Sequence, residues 1–382
     1  MKRKALDGAL RKFFFKRPAE YIINSYHRMD RRLYDRSART ISIFDGIEAH
    51  QTSNWMIFVY NYRDLPPPYF NCIFDACREL AVNLLVVTNV ALRRETKDYL
   101  SRRSQIFFQR AGVGRDFGAY KDAILLLRDR GITPKTLILC NDSVYYLPSE
   151  VRNLISKSLS HDGFLAISEV FGKSHHAQSF YISFGPDVIG SDAFQKYWDT
   201  YLPLSSRTHT IKKGELGLTR HLRSAGIMPR VLYSAHDIHK HLLEADEAKL
   251  RKLLALLPEA HSRFVLEKVA SDVKRFGLRP QVSRASSSEY RQLLADAVVN
   301  EIAETNATST GEFLFHATVG FPVVKRDIYF RELYRFSTLE RIFEDLSIEC
   351  SQEILSDLKL RGRITDLKVG KLRKKLYREG FF

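Results

Sequence analysis

Arg115 and Asp116 stand among three glycines in the run Gly112-Val-Gly-Arg-Asp-Phe-Gly-Ala-Tyr-Lys-Asp122. A second polar set, Asn141-Asp142-Ser143, follows an apolar run further on. A guanidinium can pair with a phosphate in a two-pronged geometry, and a neighbouring carboxylate can hold sugar or ribose hydroxyls. Gly112, Gly114 and Gly118 let a ligand or another backbone come close, which side chains would prevent. The bland alternative is that Arg115 and Asp116 pair with each other or with neighbours and only shape the loop. Lys121 and Asp122 are further candidates on the next helical turn.

The elements needed to position these groups can be read from the pattern. Tyr120, Ile124 and Leu127 share one face of a helix that Gly131 stops, and Thr136 to Cys140 is an apolar run suited to a strand buried on both faces. Upstream, Trp55–Tyr60, Asn83–Thr88 and Gln105–Phe108 read as strands, with a helix over Phe70–Leu80. This β–α–β–β–α–β order predicts an α/β fold with a mostly parallel sheet flanked by helices. Ligands bind such sheets at the carboxyl ends of the strands, so Asn141, Asp142 and Ser143 stand where a nucleotide or a metal is expected. Downstream, a helix over residues 149–160 capped by Ser149, and strands over Gly163–Ile167 and Phe180–Phe184, continue the unit. Residues 18–50 read as helical, and the Leu- and Lys-rich stretch 240–276 reads as helical packing.

Four motifs, taken in order, resemble the rhamnan synthesis protein F family of bacterial polysaccharide glycosyltransferases. They are Gly114-Arg-Asp-Phe-Gly-Ala-Tyr-Lys-Asp, Leu139-Cys-Asn-Asp-Ser-Val-Tyr, His176-Ala-Gln-Ser-Phe-Tyr-Ile-Ser-Phe and Glu215-Leu-Gly-Leu-Thr. The resemblance covers roughly Trp55 to Tyr233 and returns weakly at Gly320-Phe-Pro-Val-Val-Lys-Arg. It implies a GT-A-like nucleotide-sugar domain over residues 51–240, preceded by a basic helical extension (1–50) and followed by a mainly helical region with a basic tail (241–382).

The resemblance also implies roles. The end of the first strand of a GT-A-like domain holds the nucleotide base, which nominates Tyr60, Asn61 and Tyr62, with a tyrosine ring stacking on the base. Gly114, Arg115, Asp116 and Asn141 would contact the nucleotide sugar, and His176 or Gln178 the donor sugar or acceptor. A divalent cation, magnesium or manganese, would neutralise the departing diphosphate, held by Asp142 with Ser143 and, as a weaker contact, His236. The chain has Asn-Asp-Ser where the usual pattern is Asp-any-Asp, and a strand-end Asp also caps a turn. Glu215 is the candidate base for taking the acceptor hydroxyl proton; the competing reading is a Glu stabilised by the dipole of a helix's first turn. The expected partners are a nucleotide-diphosphate sugar, L-rhamnose or a related sugar, and a glycan acceptor that can be lipid-linked.

Composition narrows the setting. An apolar share of 45% with 27% charged residues is ordinary for a globular protein, and no apolar run reaches the ~18 residues of a membrane span. Cys72, Cys77, Cys140 and Cys350 lack metal or redox spacing and read as buried free thiols. The net charge of +16 is concentrated at the ends, +8 in residues 1–40 and +7 in 358–382. Near the start, Leu6, Leu10 and Phe13-Phe14-Phe15 interleave with basic residues as an interfacial amphipathic helix would, against the alternative of a solvated arm. The expectation is a cytoplasmic protein, peripheral at the inner face of the cell membrane through its basic termini. No zinc finger, aromatic ribonucleoprotein motif or helix-turn-helix signature is present, so no nucleic-acid partner is expected. A basic nucleic-acid-binding protein and a catalytically inactive scaffold of a polysaccharide complex are the competing readings.

Overall fold

A computed structural model describes residues 21–22, 25, 29, 31–172, 174–275, 288–305 and 307–370. The amphipathic N-terminal stretch and residues 371–382 of the basic tail lie outside the described residues.

Eight strands form the central sheet in the order β1-β4-β3-β2-β5-β10-β7-β11. Their ranges are β1 Thr40–Asp45, β2 Asn54–Val59, β3 Asn83–Thr88, β4 Ile106–Arg110, β5 Thr136–Asn141, β7 Phe164–Ala166, β10 Tyr181–Phe184 and β11 Pro229–Val231, while β8 (Glu169–Val170) and β9 (His176–Ala177) form a separate antiparallel pair. β2 through β5 run parallel, as expected from their unbroken apolar sequences. Successive residues alternate between two cores. Met56, Phe58, Leu84, Val86, Ile138 and Cys140 join one cluster, while Trp55, Ile57, Val59, Leu85, Val87, Leu137 and Leu139 join the other. α1 (Pro68–Glu79) and α4 (Pro148–Leu159) cover the first face. α3 (Arg115–Asp129), α5 (Asp192–Thr200) and α6 (Leu216–Ser224) cover the second.

The structure departs from the sequence reading at several elements. The helix expected over residues 18–50 gives way at Thr40 to β1, an edge strand antiparallel to β4 whose Phe44 packs against Phe107. β10 is also antiparallel to both of its neighbours, so the sheet is mixed while staying mostly parallel, as expected. A helix missing from the reading, α2 (Arg94–Ser101), buries only Thr96 and Leu100, too few apolar positions to show a period. α4 starts on Pro148 with Leu147 before it, and Ser149 makes no side-chain cap.

Among the described residues the remaining helices of eight residues or more are α7 (Asp237–Glu244), α8 (Glu247–Leu254), α9 (Glu259–Arg275), α10 (Ser288–Glu304), α11 (Glu312–Val319), α12 (Phe336–Asp345) and α13 (Ser351–Arg361). They do not form a separate core. The cluster beneath α1 and α4 continues through Leu250, Val265, Val298, Phe313 and Leu339 to Leu358. Backbone pairing adds a second link, because β12 (Val323–Lys325) is antiparallel to β6 (Val144–Tyr146), the strand just beyond the end of β5. All four thiols are free, but only Cys77 and Cys140 are buried as expected; Cys72 and Cys350 are half-buried at the edge of the core. Among the described residues no helix is long and apolar enough to cross a membrane.

Candidate functional site

β2 and β5 are neighbours, with β3 and β4 on the far side of β2, so the strand order reverses between them. A crevice opens at such a point, beyond the carboxyl ends of the strands. Here it is a cleft of about 620 Å³ whose lining includes Arg115, Asp116, Asn141, Ser143, His176, Gln178 and Glu215. Residues from four separate motifs therefore meet in one place.

The turn from β4 to α3 positions the first pair. Gly114 has φ +81°, and a Cβ there would lie 2.4 Å from Pro203 Cβ, so its close approach is to another loop and not to a ligand. Arg115 follows with φ +53°, a costly conformation for a residue with a side chain. Its Nε donates to the Ser205 carbonyl at 3.2 Å. Asp116 lies in the first turn of α3, where the helix dipole favours a carboxylate, and accepts from Asn141 Nδ2 at 3.3 Å. Asn141 Oδ1 in turn accepts the Ser143 amide at 3.0 Å and its hydroxyl at 2.6 Å.

The opposite wall carries the candidate base. Thr210–Glu215 is a π-helical turn joined directly to α6, so Glu215 is not in a helix's first turn and the dipole explanation does not apply. Such turns recur at functional sites because they re-aim one side chain. Gly214 permits this one, since a Cβ there would be 2.8 Å from the Phe117 ring. Glu215 Oε1 accepts the Ser179 amide at 3.1 Å and its hydroxyl at 2.9 Å. His176 Nδ1 donates to the Ser174 carbonyl at 2.9 Å, and Gln178 Oε1 accepts from Ser168 at 2.7 Å. The adjacent His175 engages Glu169 and stacks on Phe171, so the two histidines serve different neighbours.

Burial pushes the Asp116 pKa up to about 7, helped by the Asp142 and Glu215 charges and opposed by Arg115 and Lys325. The folded state thus holds a proton that the unfolded chain, with a carboxyl near 3.9, releases. The associated stability is complete below about pH 4 and is lost as pH rises through about 7. Asp116→Asn, which mimics the protonated form, is therefore expected to raise Tm by a few degrees at pH 8 and by less at pH 5. Calorimetry at the two pH values checks this; an equal gain at both would remove the explanation.

Three nucleotide-base candidates sit elsewhere. Tyr60 is fully buried, with its hydroxyl donating to the Asp64 carbonyl at 2.7 Å, and a buried ring cannot stack on a base. Asn61 braces the sheet end: its amide donates to Asp142 Oδ2 at 3.0 Å and its Oδ1 accepts the Asn89 amide at 2.9 Å. Tyr62 donates to Asp357 at 3.3 Å beneath the Arg326 guanidinium, 5.3 Å from its ring centroid.

The expected cation set also comes apart. Asp142 faces Arg326 at 3.4 Å, a residue just beyond β12 that also reaches Asp357 at 3.3 Å and lies over Tyr62, Phe70 and Tyr145. Burial pushes the Asp142 carboxyl up, and the Arg326 charge and the Asn61 amide oppose that shift. Ser143 gives its hydroxyl to Asn141, and His236 stacks on His239 outside the cleft lining. Among the described residues no three His, Cys, Asp or Glu side chains are grouped to hold a metal. A carboxylate already opposed by a buried guanidinium, whose carboxylate neighbour Asp116 is itself held toward its protonated form, is a poor fit for a divalent ion.

Asp122, a weaker ligand candidate, is wholly buried. Its carboxylate accepts from Arg39 Nε at 2.8 Å and Arg110 Nε at 2.7 Å. The sequence reading missed Arg207, Lys325, Asp327 and Arg331, all in the cleft lining. The available signal for two of them, Lys325 and Asp327, was the Val-Val-Lys-Arg-Asp run, a short strand ending in charges.

Fold and site together describe an α/β protein with a cleft of acidic and basic side chains at the switch point of its sheet. The model of the rhamnan synthesis protein F family matches residues 84–256, which bears out the resemblance read from the motifs. An uncharacterized protein, y4gN of Sinorhizobium fredii, is 29% identical over 178 residues, 45% of this chain and 46% of that protein. The chain thus spans less than half the length of this curated relative. Two solved structures share a partial likeness. A glycosyltransferase involved in glycosylation of the major capsid of PBCV-1 has 10% identity over 47% of this chain and 82% of its own, at a TM-score of 0.28. The glycosyltransferase GlyE of Streptococcus pneumoniae TIGR4 has 12% identity over 66% and 63%, also at 0.28.

Proposed function

We propose that the protein is a glycosyltransferase of bacterial polysaccharide synthesis, moving L-rhamnose or a related sugar from a nucleoside-diphosphate donor to a hydroxyl of a surface-glycan precursor. The observation that carries this reading is the convergence of Asp116, Asn141, His176, Gln178 and Glu215 on one switch-point cleft, in a chain whose central segment matches the rhamnan synthesis protein F model. Glu215 takes the proton of the acceptor hydroxyl as its oxygen attacks the anomeric carbon. The bond from that carbon to the diphosphate breaks, and the nucleoside diphosphate leaves with the electron pair. Ser179 fixes the carboxylate for this step, while Asp116 and Gln178 bind sugar hydroxyls. A lipid-linked acceptor at the inner membrane face, approached through the basic termini, suits the charge distribution.

A thermal-shift titration with uridine, thymidine and guanosine diphosphates tests the donor class. One of the three is expected to raise the midpoint by a few degrees at about 100 times its Kd, where binding contributes ~2.7 kcal/mol. No shift with any of them would count against a nucleotide-sugar site and favour an inactive scaffold.

A further inference from the structure

Four cations, Arg115, Arg207, Lys325 and Arg331, line the cleft with three carboxylates, Asp116, Glu215 and Asp327. Arg331 is ion-paired with Asp327. The other three cations have no carboxylate hydrogen bond among the described residues. Lys325 Nζ lies over the Phe180 ring at 4.8 Å, and Arg115 uses its Nε on a carbonyl. Arg207 is half-buried at the start of the helical segment leading to Glu215, and burial together with the Arg331 and Arg115 charges holds its guanidinium below the usual range. Asp327 and Glu215 offset part of this repulsion, and with Asp327 engaged by Arg331, an anion entering the cleft meets Arg115, Arg207 and Lys325.

These cations come from three parts of the chain. Arg115 opens α3, Arg207 precedes the π-turn, and Lys325 and Arg331 belong to the C-terminal region. The buried Glu312 carboxylate, which accepts the Lys325 amide at 2.7 Å, holds β12 at the cleft edge. We propose that Arg207, Lys325 and Arg331, with Arg115, clamp the diphosphate of the donor, so that fixed guanidinium and ammonium groups neutralise the leaving group where a divalent cation was expected. This rests on the glycosyltransferase reading. It makes the C-terminal region part of the donor site and makes binding independent of metal. Guanidinium groups suit the task because their forked donors match phosphate oxygens, and preorganised cations stabilise the charge that develops on the departing diphosphate.

The test is calorimetric titration of the full chain with inorganic pyrophosphate and with the three nucleoside diphosphates, each in EDTA and in magnesium. The clamp predicts binding of equal affinity in both buffers, weakened ~10–100-fold by Arg207→Met and by Lys325→Gln, as expected for loss of a charge-assisted hydrogen bond. Arg207→Lys should recover part of the loss. Variants are compared only where Tm stays near wild type, and Lys325→Gln, at a partly exposed side chain, guards against a folding failure at Arg207. Binding that requires magnesium, or that both variants leave unchanged, overturns the clamp while leaving the donor reading intact. Metal-free pyrophosphate binding that the variants abolish, without binding of any nucleotide or sugar transfer, supports the anion clamp and sinks the donor reading.

Discussion

Asp122→Ala is expected to destabilise the protein by roughly 3–5 kcal/mol, the usual cost of removing one partner from a buried ion pair. Asp122 and both its partners, Arg39 and Arg110, are almost completely shielded from water. With the carboxylate gone, two guanidinium groups face each other without an anion, and burial already holds Arg110 below its usual range. The effect reaches the cleft, because Arg110 Nη2 donates to the Val113 carbonyl at 2.8 Å and so anchors the turn that presents Arg115 and Asp116. Thermal and urea unfolding measure the loss. A ΔΔG below about 1 kcal/mol would show that water or a neighbouring group replaces the carboxylate. Replacing all three residues with apolar ones of similar volume should recover most of the stability, since a fully removed buried ion network is often neutral.

Glu215→Gln is expected to lower kcat ~10²–10⁴-fold while leaving nucleotide affinity within a few-fold of wild type. The amide oxygen can still accept the two Ser179 hydrogen bonds, so the side chain keeps its place and loses only its basicity. Asp116 is the rival base: it lines the same cleft and its proton comes off near neutrality. A variant that keeps more than about a tenth of kcat, alongside an Asp116→Asn that does not, would transfer the role to Asp116.

The parallel strands were legible because each is an apolar run buried on both faces, and the side-chain alternation of β2, β3 and β5 matches the two cores. β1 was not, since Thr40–Asp45 is half-exposed and its pairing with β4 is not local. Asp116, Asn141, Ser143, His176, Gln178 and Glu215 could be grouped from sequence because their motifs fall at strand ends and turns of one unit. Tyr60 was misplaced because an aromatic at a strand end looks the same whether it covers the core or faces a ligand. Asp142 was misjudged for another reason. Its partner, Arg326, is reached only when β12 returns to β6, and no local periodicity records that pairing.

That return has a consequence for how the protein is made. β6 leaves the ribosome about 180 residues before β12, a delay of roughly ten to thirty-five seconds at 5–20 residues per second. The parallel sheet can form during that wait, but Asp142 has no guanidinium opposite it and the cleft lacks two of its cations. A partly made chain thus carries the sheet side of the cleft without Lys325 and Arg331, and under the proposed clamp it would not hold a diphosphate until β12 and the turn after it have been translated.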